Sequence, residues 1–357
     1  MANIRLISTS LNSMKNLISF TSLTFERFPT LIKALENLLI SLPTLKPTFP
    51  DDFRISAKYT TRHLLEKKIQ NVSSRPMSQK FGEYTIVVGP KGAGKSFVVA
   101  RALCDKEGVV HILISQIVTP ASFLTALLES CGKTVDEYKP LGLKVLVSVL
   151  GMAAIKKGVP VTSVLEVESG RSSPEVLESV NCIAKQLAIA ANVVVILSEA
   201  NAGLILGDDD RQQFIWVDEM TNEEAETYAR KICPNVYVAD LELLFKNIGK
   251  LPLKIGLYMT ALKMGTSAAE LVEQAVASAL DDLKCFGHQP IIHALKASPN
   301  GVLASTFCGI KDDGVLLAEP KQVAVAMKAR QAIVYHLPSR EYRFATTAHR
   351  ISVALFP

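Results

Sequence analysis

The sequence predicts an α/β protein whose parallel sheet is covered by helices on both faces, and three observations predict it. Five short runs read as buried strands: EYTIVV (83–88), VVHILIS (109–115), VPVTSVLEV (159–167), NVVVILS (192–198) and QQFIWVDEM (212–220). Helical segments separate them, and the strands are nearly continuous in apolar residues, as strands buried on both faces are. A glycine loop, GPKGAGKS (89–96), falls where the first strand gives way to a helix.

In chain order, SFVVARAL (96–103) has helical spacing despite its valines, and the segment from Pro120 to Lys156 reads as helical. SPEVLESVNCIAKQLAIAA (173–191) reads as a capped amphipathic helix between the third and fourth strands. At 357 residues, 48% hydrophobic and 20% charged, the chain is long enough for a large core and for more than one domain. The net charge of +5 is mild, with no dense basic run that would demand nucleic acid or an anionic membrane. The six cysteines show neither CxxC nor zinc spacing and read as reduced thiols of an intracellular protein. No apolar run reaches the roughly 18 residues of a membrane-spanning helix.

The first 25 residues carry no acidic side chain and many Ser and Thr, a faint resemblance to a mitochondrial transit peptide, although arginine is scarce. The plain alternative is a weakly ordered arm followed by a helix around LIKALENLLISL and a Pro-rich linker. The expected compartment is cytoplasmic or nuclear, with a mitochondrial one left open.

The glycine loop fits G-x-x-x-x-G-K-[ST], from Gly89 through Pro90, Lys91, Gly92, Ala93 and Gly94 to Lys95 and Ser96. Glycines let successive backbone N–H groups turn toward phosphate oxygens while the following helix, with Phe97 in its first turn, presents its positive end. Lys95 would neutralise β- and γ-phosphate charge, and the Ser96 hydroxyl would ligate Mg²⁺.

A carboxylate at the C-terminal end of another strand would complete the cation site. The stretch VTSVLEVESG (161–170) offers Glu166 and Glu168, placed on one face by strand alternation. Both are one methylene longer than the usual aspartate, and the adjacent acid pair of a proficient hydrolase is absent. Either serves as a Mg²⁺ or water-positioning acid, or both are solvated strand-end carboxylates.

The loop, the glutamate-ended strand, VVVILSEANAGLILGDDDRQQFIWVDEMTNEEAETYARKI and NIGKLPLKIGLYM, in that order, resemble the AAA+/STAND group of P-loop ATPases, especially its archaeal-type branch. That branch is similar to the ATPase modules of retrotransposon hot spot and crinkler-type proteins. The resemblance spans roughly residues 55–350 and implies a P-loop NTPase followed by a helical lid and a winged-helix-like domain.

It also implies site residues. Ser198 lies where the family places a polar sensor beside the γ-phosphate; an ordinary strand-end serine is the alternative. Arg211 lies where relatives carry an arginine answering phosphate charge in the same or a neighbouring subunit, or it pairs with Asp208 to Asp210 on the surface. Thr221 and Glu224 form a capping box that opens the lid. GKLPL resembles the GLPL turn of STAND proteins, which makes Pro252 a candidate base contact, and in AKYTTRHLLEKKI the candidates are Tyr59 and Arg62.

Beyond helical SAAELVEQAVASALDDL, HQPIIHALKAS and PKQVAVAMKARQ read as helices and AIVYHLPSREYRFATT as two strands around a Pro-Ser turn. This winged-helix-like pattern binds either DNA or protein. Lys321, Lys328, Arg330, Arg340, Arg343 and Arg350 make it basic, but without interleaved aromatics nucleic acid is not favoured. His288, His293, His336 and His349 lack metal spacing.

The expected organisation is therefore an arm and helix (1–52), a P-loop nucleotide-binding domain (53–220), a helical lid (221–282) and a winged-helix-like domain (283–357). The expected ligands are ATP or ADP with Mg²⁺, the partner an unidentified protein, the membrane excluded and a homo-oligomer left open. Two functional classes follow: a nucleotide-dependent switch or slow ATPase, and a scaffold that holds nucleotide without hydrolysis. A small-molecule kinase is a distant third, since no acceptor pocket is identifiable.

Overall fold

The computed structural model describes residues 49, 60–75, 82–130, 161–168, 170–198, 206, 210–286, 289–304 and 332–356. Helix α1 (His63–Ser73) precedes β1 (Tyr84–Val88), and the glycine loop leads into α2 (Lys95–Leu103). Then come β2 (Val109–Ile114), α3 (Pro120–Ser130), β3 (Thr162–Val167), α4 (Pro174–Leu187), β4 (Asn192–Leu197) and β5 (Gln212–Trp216). All five expected strands are present; three match their expected limits within one residue, while β3 starts three residues later than expected and β5 ends four residues earlier. The end of the Pro120–Lys156 helix, the N-terminal arm apart from Phe49, and the helix expected over 320–331 lie outside the described residues.

The strands form one parallel sheet in the order β2-β3-β4-β1-β5. Two apolar cores explain why every strand is a near-continuous hydrophobic run. Tyr84, Ile86 and Val88 of β1 join residues of α3 and α4 on one face. Val87 joins Ile69 and Val72 of α1 and Val98 and Val99 of α2 on the other. Because β3, β4 and β1 are consecutive parallel strands, their C-terminal ends lie side by side, and Glu166 of β3 and Ser198 after β4 reach Ser96 and Lys95 at the start of α2.

A second layer of helices follows: α5 (Asn222–Ile232), α6 (Val238–Ile248), α7 (Pro252–Lys263) and α8 (Ala268–Lys284), with a core that includes Ala229, Leu244 and Met259. The Thr221 hydroxyl accepts the Glu224 N–H while the Glu224 carboxylate accepts the Thr221 N–H, closing the capping box read from the sequence.

The C-terminal unit comprises α9 (Gln289–Ala297), β6 (Val302–Leu303), β7 (Ile333–His336), β8 (Glu341–Phe344) and α10 (Thr347–Ser352). Its antiparallel sheet has three strands in the order β6-β8-β7, where the sequence reading expects two. Strand β6 is only two residues long and forms because Val302 and Leu303 pair with Tyr342 and Glu341, a long-range contact without a local pattern. His336 packs edge-on against Trp216 with ring centroids 4.5 Å apart, joining this unit to the edge strand β5.

Candidate nucleotide site

The glycine loop is shaped by close approaches that only glycine permits. A Cβ on Gly89 would lie 2.1 Å from the Val217 carbonyl oxygen, a backbone atom that cannot yield without disturbing the sheet. Gly92 has φ +82°, and a Cβ there would lie 2.8 Å from Leu253 Cβ. Leu253 also donates its backbone N–H to Gly92 O at 3.2 Å, so the start of α7 rests directly on the loop. Pro252, the first residue of α7, stands over Gly94, where an added Cβ would meet its Cγ at 3.7 Å.

Lys95 is 5% exposed, and its Nζ donates to three carbonyls: Gly89 O at 2.8 Å, Pro90 O at 2.9 Å and Ser198 O at 3.0 Å. Its ammonium therefore sits between the ends of β1 and β4. Ser198 belongs to the same cluster, its hydroxyl donating to the Val167 carbonyl of the neighbouring strand. In α2 the first helical bond runs from Val98 N–H to Gly94 O, so the N–H groups of Lys95, Ser96 and Phe97 precede it at the positive end of the helix.

Glu166 reaches this cluster from β3. The Ser96 hydroxyl donates to Glu166 Oε1 at 2.5 Å, and His111 Nε2 donates to Glu166 Oε2 at 2.8 Å. Burial pushes the Glu166 carboxyl up, but the hydrogen bonds from His111 and Ser96 and the charges of His111 and Lys95 outweigh it and hold the carboxyl below the usual glutamate range. Glu168 lies one residue beyond the end of β3 and is exposed; its N–H donates to Ile114 O and its carbonyl accepts the Arg171 N–H.

His111 escaped the sequence reading, though a signal existed. A histidine in the middle of an otherwise apolar strand, VVHILIS, needs a polar partner once that strand is buried.

Arg62 is brought to the loop, through its backbone. Its Nη1 donates to Ala93 O at 3.2 Å and its Nη2 to Glu219 O at 2.9 Å, while its Nε lies 3.4 Å from Glu224 Oε2. Tyr59 lies outside the described residues.

Arg211 is not brought to the loop within this chain. Its carbonyl accepts the Tyr84 N–H and its Cδ lies beside Gly82, because Gln212 pairs with Tyr84 at the opposite end of the sheet. Five residues of β1 separate the two ends, about 16 Å at a strand's rise per residue. Of its expected surface partners Asp208 to Asp210, Asp208 and Asp209 lie outside the described residues.

The connection from β5 to α5 is polar and tight. Glu219 donates its N–H to Asp218 Oδ1, and a Cβ on Gly249 would meet Glu219 Oε1 at 2.4 Å and Thr347 Oγ1 at 3.1 Å. Burial pushes the Glu219 carboxyl above the usual glutamate range, opposed by the Lys250 backbone N–H and the Lys250 and Arg350 charges and reinforced by Asp218. A raised folded pKa gives stability that is complete below the unfolded value of about 4.3 and lost as pH rises through the folded value. Glu219→Gln removes this titration. Wild-type stability relative to the variant is thus expected to fall as pH rises across that window and then level off, in thermal melts from pH 4 to 8.

In the C-terminal unit, Arg343 is bonded to Glu341 and Ser339, His349 to Thr346, and His293 packs on Phe356. Lys321, Lys328, Arg330 and His288 lie outside the described residues. Among the described residues, no three His, Cys, Asp or Glu side chains gather into a metal cluster, and no helix is long and apolar enough to cross a membrane.

No family model and no curated protein matches the sequence. Among solved structures, a STAND ATPase with a tetratricopeptide repeat sensor from Pyrococcus horikoshii is similar at a TM-score of 0.36 and 14% identity, over 84% of this chain. This chain spans 44% of that protein's length. The ORC1 protein of Aeropyrum pernix, solved in complex with DNA, gives a TM-score of 0.35 and 13% identity over 85% of this chain and 94% of its own. Drosophila ORC bound to DNA gives 0.34 and 14%, over 90% and 91%. At these values the α/β assignment rests on the chain's own strand order and glycine loop.

The site's donors suit a phosphate chain and a hard cation. Buried ammonium, helix-start N–H groups and glycine-shaped backbone answer the anion, and a hydroxyl beside a carboxylate answers the cation.

Proposed function

We propose that this chain binds Mg²⁺-ATP and acts as a nucleotide-dependent molecular switch or slow ATPase. One observation carries the reading: Ser96 of the glycine loop and Glu166 of β3 touch at 2.5 Å beside the Lys95 ammonium. Two distant segments thus supply a hydroxyl and a charged carboxylate to one point, next to the group that would answer phosphate charge.

Gly89 to Phe97 would wrap the phosphates, Lys95 would neutralise them, and Ser96 with Glu166 would hold the cation, which draws the rest of its oxygen shell from phosphate and water. Ser198, which shares Lys95 with the loop, would sense the terminal phosphate. Residues 221–282 would serve as a lid and 283–357 as a winged-helix-like domain, with Pro252 and Arg62 at the lid-to-loop contacts. Arg211 would act on a neighbouring copy in a homo-oligomer, since it stands at the far end of its own sheet. A protein partner is favoured over nucleic acid for the C-terminal unit, where Arg343 is already bonded to Glu341.

The alternative is a scaffold that holds ATP or ADP without hydrolysis. It is favoured by the exposure of Glu168 and by the engagement of both Glu166 oxygens with protein donors, which leaves neither glutamate aimed at an attacking water. ATP turnover by the purified protein, with and without Mg²⁺ and over a protein concentration series, separates the two. Glu166→Gln is expected to leave nucleotide binding in EDTA largely intact and to lower phosphate release about 100-fold. Wild-type turnover at the buffer background, with binding preserved, would establish the scaffold.

A further inference from the structure

We propose that His111 is a positioning residue for Glu166, holding the carboxylate in the orientation that turns one oxygen toward the Ser96 hydroxyl. The inference rests on the reading of Ser96 and Glu166 as a cation site and adds a third member to it.

The geometry carries it. In the β2–β3 register His111 pairs with Val164 and Leu113 with Glu166, so His111 and Glu166 are diagonal neighbours on the face that packs against α2. His111 is 8% exposed, at the middle of an edge strand whose flanking residues Val110 and Ile112 are buried. The ring of Phe49 packs against the imidazole with centroids 4.9 Å apart, which limits how the ring can turn. From that position Nε2 reaches Glu166 Oε2 at 2.8 Å while Oε1 accepts from Ser96. A glutamate carboxylate sits at the end of three rotatable bonds, and a donor on each oxygen fixes its plane.

The two donors are not equivalent. Ser96 belongs to the phosphate loop, and a hydroxyl that ligates a cation turns its lone pairs, not its proton, toward the shared centre. His111 stands outside the loop, on β2, so its bond to Oε2 does not depend on the loop's own backbone. The longer acid thereby gains the fixed orientation that a shorter aspartate side chain would have by its length alone. Only the Nε2–H donor is needed, so the neutral imidazole suffices, and an amide N–H of similar reach can replace it.

The test is binding of a fluorescent ATP analogue to the full chain, titrated with Mg²⁺ and repeated in EDTA, for wild type, His111→Gln and His111→Leu. His111→Leu, which keeps the bulk and loses the donor, is expected to raise the Mg²⁺ concentration at half-saturation about tenfold. His111→Gln is expected to stay near wild type, and all three proteins to bind equally in EDTA. An unmoved Mg²⁺ dependence in a folded His111→Leu protein would overturn the proposal, as would an equal displacement by His111→Gln. If His111→Leu does not melt cooperatively, His111→Asn takes its place, with an amide one methylene too short and the same tenfold shift expected. A wild-type protein that binds no nucleotide under either condition would instead remove the nucleotide reading itself, a pattern distinct from normal EDTA binding with unchanged Mg²⁺ response.

Discussion

Lys95→Ala is expected to lower the affinity for ATP by at least about 100-fold, out of range of a fluorescent-nucleotide titration. The ammonium is buried between the ends of β1 and β4, bonded to the glycine loop at Gly89 O. Truncation removes that charge and also deprives Gly89 O, Pro90 O and Ser198 O of their shared donor. A buried carbonyl without a partner costs about 1–3 kcal/mol, so part of the loss appears as looser loop order and a lower melting temperature. Lys95→Arg is a useful companion, because it keeps the charge while its planar fork cannot reproduce three bonds converging on one nitrogen. If Lys95→Ala bound ATP as tightly as wild type, the glycine loop would not be the nucleotide site.

The second large effect concerns stability. Arg62→Ala is expected to destabilise the protein by about 3 kcal/mol, two charge-assisted bonds to backbone carbonyls being lost together. Arg62 is 5% exposed and joins the loop at Ala93, the β5-to-α5 connection at Glu219 and the start of α5 at Glu224. Glu224 is partly solvated and keeps its capping role, so its ion pair adds less than a fully buried one. Denaturant melts measure the loss. Arg62→Lys is expected to recover only a fraction, because a single ammonium cannot span three acceptors in three segments. A melting curve for Arg62→Ala superimposable on wild type would show that these bonds contribute no net stability.

Much of the sheet was legible because parallel strands buried on both faces leave a continuous apolar signature, as in NVVVIL, and because caps such as Thr221–Glu224 are local. The glycine loop was legible for the same reason: its spacing is dictated within eight residues. Strand order was not, since nothing in QQFIW announces that β5 pairs with β1, and that pairing decides where Arg211 stands. The role of Glu166 was visible only as one of two glutamates; the strand ending at Val167 separates them, leaving Glu166 half-buried against Ser96 and Glu168 exposed. His111 and β6 depended on partners 55 and about 40 residues away in sequence, beyond any local pattern.

The bond from Leu253 to Gly92 seats the start of α7 on the glycine loop. The 12 residues of α7 span about 18 Å, so a tilt of about 10° at the loop sweeps the far end through roughly 3 Å. A displacement of that size is comparable to the diameter of a water molecule, enough to disengage one packed side-chain layer from the next. Movements of the loop too small to notice at the site itself would thereby be read out, amplified, at Met264.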